Sequence, residues 1–224
     1  MSASIPTFVE NLNQLVSLPS VSSANPALDM SNRPVIDYLA NSLSGLGFRC
    51  EILESPSATS IRKFNLIAIR GSGSGGLVLS GHTDTVPLDE ELWSVNPFRL
   101  TEKDNRLYGL GSTDMKGFFP VIMEAVQQLG DAPFKAPLIV LATADEETSM
   151  YGARSLSERG IPEGRFAIIG EPTGLVPVKA HKGIMMESIR LLGQSGHSSD
   201  PSLGRNALEA MHLVIADLLE RREQ

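Results

Sequence analysis

One cysteine, Cys50, serves a chain of 224 residues, so no internal disulfide can form and a reduced, cytoplasmic compartment is expected. Cys50 lies in a strand-like apolar run from Phe48 to Leu53, the setting of a small buried hydrophobe rather than a reactive thiol. Long hydrophobic runs are missing: no apolar stretch approaches the ~20 residues of a membrane span. Basic residues are too few to balance the acids, 19 Lys and Arg against 26 Asp and Glu, a net charge of −7. With no basic stripe to offset that balance, nucleic acid is excluded as a partner. The opening Met-Ser-Ala-Ser-Ile-Pro-Thr has neither a basic nor an apolar segment of signal-peptide type. Catalytic signatures are missing too. There is no Gly-x-Ser-x-Gly elbow and no His-Glu-x-x-His. The glycine-rich run at 71–76 lacks the Gly-Lys-Ser/Thr ending of a phosphate loop and reads as a flexible turn.

What is present is an ordinary core, at 42% apolar residues, arranged as alternating helices and strands. Phe8, Leu12, Leu15 and Val16 form one stripe of an amphipathic helix. A second helix is expected from about Pro34 through Leu46, ended by Gly45 and Gly47. Strand-like runs follow at 48–53, 64–69 and 77–80. A helix from Met115 to Leu129, a buried strand at 138–143, a helix over about 150–159 and a strand at 166–169 complete the series. Strands apolar on both faces, alternating with helices, predict an α/β layered domain with a largely parallel sheet. The pattern changes near residue 179. Ile184 to Leu192 reads as a strand, 193–204 as loop and Arg205 to Arg222 as a helix. The expected division is therefore 1–178, the layered α/β domain, and 179–224, the opening of a second, α+β domain.

Five residues sit where an apolar run gives way to a turn: His82, Asp114, Glu146, Glu147 and Glu171. Ligands bind beyond the carboxyl ends of strands in open α/β sheets. Imidazole and carboxylate are the ligand set of a hydrolytic zinc-type metal, so one shared centre accounts for all five. Taken singly, each acid has a plainer explanation as a helix cap or solvated loop residue, and Asp114 stands just ahead of a helix. Asp114 suits a bridge between two ions, because its two oxygens can each hold one. Asp84, two residues beyond His82 on an extended segment, is placed to accept from the far ring nitrogen and fix the tautomer. The pair Glu146-Glu147 divides into two roles, one carboxylate on metal and the other a general base.

These motifs resemble the M20 family of dinuclear zinc amidohydrolases. Ser80-Gly-His-Thr-Asp-Thr-Val-Pro87 and Asp145-Glu-Glu147 carry the family resemblance. Asp114-Met-Lys-Gly-Phe-Phe119, Ala142 to Met150, Gly170-Glu-Pro-Thr173, Ala180-His-Lys-Gly183 and Gly193 to Pro201 resemble its members that hydrolyse N2-acetyl-L-ornithine to ornithine and acetate. Desuccinylases and carboxypeptidases of the same family are the alternatives. The resemblance implies two ions, Zn2+ or Co2+: His82 and Glu171 on one, Glu147 on the other, Asp114 bridging through a cis Asp114–Met115 peptide. It further implies Glu146 as general base, Asp84 as the orienter of His82, and His197 as a lid histidine that polarises the scissile carbonyl, reaching across a homodimer. The substrate implied is a small N-acyl amino acid, with no membrane or nucleic-acid partner. Family members supply a last histidine ligand from beyond a position equivalent to Gln224. The chain is therefore expected to be the N-terminal part of such an enzyme, with an incomplete second ion site. A truncated fragment that binds metal without catalysing is the competing expectation.

Overall fold

The computed structural model describes residues 6–130, 132–183 and 187–222. The chain divides into two compact units, Met1–Val176 and Pro177–Gln224.

In the first unit, α1 (Phe8–Val16) starts at a capping box. The Thr7 hydroxyl accepts from the Glu10 backbone N–H, and the Glu10 carboxylate accepts from Thr7. α2 (Arg33–Gly45) begins with proline in its first turn. A five-stranded sheet follows, built from β1 (Arg49–Ser55), β2 (Lys63–Arg70), β3 (Leu77–His82), β6 (Leu138–Thr143) and β7 (Phe166–Ile169). A separate hairpin pairs β4 (Thr101–Lys103) with β5 (Arg106–Tyr108). The sheet order is β1-β2-β6-β3-β7, and only β2 runs against the others. The fold is the expected α/β arrangement on a largely parallel sheet.

β2 and β6 are apolar at successive positions because both their faces are covered. Leu66, Ala68, Leu138 and Val140 face one layer, where α2 and α3 (Phe118–Leu129) contribute Val35, Ile36, Leu39, Phe119 and Ile122. Ile67 and Ile139 face the opposite layer, with Leu156 of α4 (Tyr151–Glu158). Cys50 packs against the first layer, as a small hydrophobe does. At the sheet's edge β7 is exposed along its length, Phe166 and Ile169 by 63% each.

In the second unit α5 (Ala207–Arg222) follows a bridge between Gln194 and Arg205. The strand expected at 184–192 is not formed by residues 187–192, and 184–186 lie outside the described residues. A strand makes no hydrogen bonds within itself; without a neighbour to pair with, an apolar run stays irregular.

Candidate metal centre

Parallel pairing brings three strand ends to one edge. His82, the last residue of β3, stands opposite Thr143, the last of β6, and Ser80 stands opposite Ile169, the last of β7. The residues that follow β6 and β7 therefore emerge beside His82. Gly170 continues the ladder by donating to the Ser80 carbonyl. It can do so only as glycine, because a Cβ there would come within 2.2 Å of the Phe118 ring.

His82 is buried, and its two nitrogens are both engaged. Nε2 lies 3.0 Å from Asp114 Oδ1, and Nδ1 lies 2.9 Å from the main-chain carbonyl of Asp84. The Asp84 carboxylate stands 3.7 Å from Nδ1, so the tautomer is set by the carbonyl rather than by the side chain. Sequence alone pointed to the carboxylate, since a two-residue spacing places either oxygen nearby. That carboxylate instead accepts from the backbone N–H of Glu147, tying the β3 turn to the β6 turn.

Asp114 reaches the centre from the turn before α3, where the Asp114–Met115 peptide is cis, as the family resemblance implied. The expected helix start at Met115 gives way to turns, and α3 begins at Phe118. Ligand atoms of His82, Asp114 and Glu147 all lie within 4.8 Å of one another. That approaches the ~4 Å across which one ion with ~2 Å bonds is held by opposed ligands. Glu146 and Glu171 stand outside that set of three, yet near enough for both charges to act on His82.

The electrostatics are those of crowded anions. Burial and the charges of Asp114, Glu146 and Asp84 push the Glu147 carboxyl up to about 7, against the pull of His82. Burial raises Glu171 as well, with Glu146, Asp114 and Asp84 adding to it. Asp84 is raised by burial despite His82 and backbone N–H donors. For His82, burial favours the neutral ring, but Asp84, the Asp114 hydrogen bond, Glu171 and Glu146 outweigh it and raise the pKa. One Asp84 oxygen, Oδ1, is buried with no hydrogen-bond partner. A divalent cation fits this set: it would neutralise carboxylates that otherwise repel, and nitrogen plus oxygen donors suit zinc.

Three charged residues were given no role by the sequence reading. Lys116, only 1% exposed, donates to the Leu15 and Leu18 carbonyls at the end of α1, and burial lowers its pKa to about 7. Lys63 and Asp145 are buried together beneath the β6 turn. A lysine in an apolar run was the available signal. His197 and His181 belong to the second unit, where both are exposed.

Residues 78–218 match the profile described as "Peptidase family M20/M25/M40". The chain is 51% identical over 220 residues to a Pasteurella multocida protein named "Acetylornithine deacetylase", covering 98% of this chain and 57% of that protein. It is also 51% identical over 224 residues to the Proteus mirabilis protein of the same name, covering 100% of this chain and 57% of the relative. It thus spans little more than half the length of these curated relatives. Among solved structures, human carnosine dipeptidase 1 superposes with a TM-score of 0.62 at 23% identity, covering 72% of this chain and 38% of that one. A Staphylococcus aureus tripeptidase gives 0.60 at 17%, covering 96% and 57%. At such identities these two speak for the fold.

Proposed function

The chain belongs to peptidase family M20/M25/M40, and from that premise we propose that it carries the metal-binding part of a deacetylase acting on N2-acetyl-L-ornithine. The observation that carries the reading is the convergence of His82, Asp114 and Glu147 at aligned strand ends. The substrate rests on the name of its half-identical relatives. In the reading, His82, Glu171 and Asp114 would hold one Zn2+ or Co2+, and Glu147 together with Asp114 would hold a second. Bound ions would supply Lewis acidity toward the amide carbonyl and acidify a water molecule.

The chain's own groups supply the rest. Asp84 fixes the His82 ring by accepting Nδ1–H at its carbonyl, which leaves the Nε2 lone pair free for metal. Glu146, next to the ligand Glu147, takes a proton from the attacking water and returns it to the departing amine of ornithine. His197 Nδ1 accepts from the Ser199 backbone N–H, so in the neutral ring the proton lies on Nε2, free to donate to a carbonyl oxygen. By this reading the protein acts in the cytoplasm, in arginine biosynthesis, as a homodimer. The test is zinc or cobalt content of the purified chain, followed by turnover of N-acetylornithine, N-succinyl-diaminopimelate and dipeptides. A preference for either of the last two would overturn the substrate assignment, and a chain that takes up no metal would overturn the centre.

A further inference from the structure

Beneath the β6 turn lies a buried ion triad that the reaction does not use. Lys63 Nζ contacts Asp29 Oδ1 at 2.6 Å and Asp145 Oδ1 at 3.0 Å, and donates to the Met30 carbonyl at 2.7 Å. All three charged side chains are almost fully shielded, Lys63 to 1% exposure. Asp29 is braced by the Thr59 hydroxyl at 2.5 Å and the Ser23 N–H at 3.2 Å. Asp145 Oδ1 also accepts from Ser22 Oγ at 2.9 Å, and Ser22 Oγ lies 2.8 Å from the hydroxyl of Thr148. The backbone of Asp145 is left-handed, φ +55°, and its carbonyl accepts from the Ser149 and Met150 N–H groups. A non-glycine residue keeps that conformation only where its surroundings dictate it. Here two sets of contacts hold it, those to the Asp145 carboxylate and those to its carbonyl. Because Asp145 is the corner at which the chain leaves β6, its conformation sets the direction in which Glu146 and Glu147 project.

We propose that Lys63 is a positioning residue: through Asp145 it holds the corner that aims Glu146 and Glu147 at the centre. The proposal rests on the metal-centre reading above. It differs from a purely structural role in one respect. Only contacts to Asp145, not those to Asp29 alone, govern the ligand.

The test is Co2+ binding by the 224-residue chain, followed through the visible absorption of the bound ion, together with Tm. Lys63→Met is expected to weaken cobalt binding at the site that Glu147 serves by 10–100-fold, the usual effect of removing an outer-sphere partner. Should that variant not fold, Ser22→Ala and Asp29→Asn decide. Ser22→Ala removes a bond to Asp145 and should weaken cobalt several-fold with an altered spectrum. Asp29→Asn, which leaves Lys63 on Asp145, should lower Tm yet keep cobalt affinity within twofold. If affinity simply follows Tm across the variants, or is unchanged in Lys63→Met and Ser22→Ala, the proposal is overturned. A wild-type chain that binds no cobalt overturns the metal centre itself, and this inference with it.

Discussion

Glu146 and Glu147 are neighbours with the same chemistry and different surroundings, and the roles proposed for them rest on that difference. Glu147 has its N–H bonded to Asp84 and a carboxylate grouped with His82 and Asp114, whereas Glu146 stands beside that group. In the complete enzyme Glu146→Gln should therefore retain zinc while losing ~10²–10⁴-fold in turnover; Glu147→Gln should lose the ion that Glu147 serves. Zinc analysis and turnover of the two variants check this, and the reverse pattern would exchange the assignments. The raised carboxyl of Glu147 also makes a pH prediction. In the metal-free chain its folded pKa of about 7 exceeds the ordinary 4.5, so between those values the folded state holds more protons than the unfolded. This group thus makes the metal-free fold less stable as pH rises from 4.5 through 7. Metal needs the deprotonated carboxylate, so zinc affinity should climb with pH up to about 7 and release protons below it. Calorimetry in buffers of different ionisation heat measures that release. Zinc binding without proton release at pH 6 would contradict it.

Two glycine and lysine contacts decide whether the elements deliver their side chains. Gly170→Ala would drive a methyl into the Phe118 ring and displace the end of β7, so it should cost metal affinity through Glu171 while leaving most of the fold intact. Lys116→Met would take the lysine donor from the Leu18 carbonyl and leave the Leu15 carbonyl only a 3.4 Å bond from the Leu18 N–H, at a cost of ~1–3 kcal/mol for a buried carbonyl left unpaired. Urea unfolding and zinc titration separate the two effects: the first variant should move chiefly affinity, the second chiefly stability. The elements themselves were largely legible in the sequence. β2 and β6 read as unbroken apolar runs because helices cover both their faces, and α1 announced itself by its apolar stripe. The hairpin of β4 and β5 was not legible, since its three-residue strands, Thr101–Lys103 and Arg106–Tyr108, have no apolar alternation. At the site, His82, Asp114 and Glu147 were found from their places after strands. Lys63 and Asp145 were not, because a buried ion pair looks like surface charge until its partner, 82 positions away in the chain (145 − 63), is placed beside it.

At the scale of the whole molecule, the apolar surface still facing solvent is large. β7 exposes Phe166, Ile168 and Ile169, and α5 exposes Leu208, Leu213, Ile215, Leu218 and Leu219. Surfaces of this kind normally meet another protein surface, so the chain should bind a hydrophobic dye and associate with rising concentration. Ligand supply points the same way. In the first unit the only histidine is His82; His181, His197 and His212 lie in the second. In the proposed assignment His82, Asp114 and Glu171 would suffice for one ion, while Glu147 and a share of Asp114 would be a meagre set for another. A weakly held second ion acidifies water less, and the attacking nucleophile becomes scarcer. The chain spans 57% of the Proteus mirabilis relative's length, which makes that protein the natural comparison. Under saturating zinc or cobalt, N-acetylornithine hydrolysis by the 224 residues should fall at least ~10²-fold below that of the relative, the scale on which a catalytic group is missed. Cobalt titration should find one tight site per chain rather than two. Equal turnover, or two tight sites, would mean that these residues complete both ion sites by themselves, and the assignment of Glu147 to a half-built second site would be wrong.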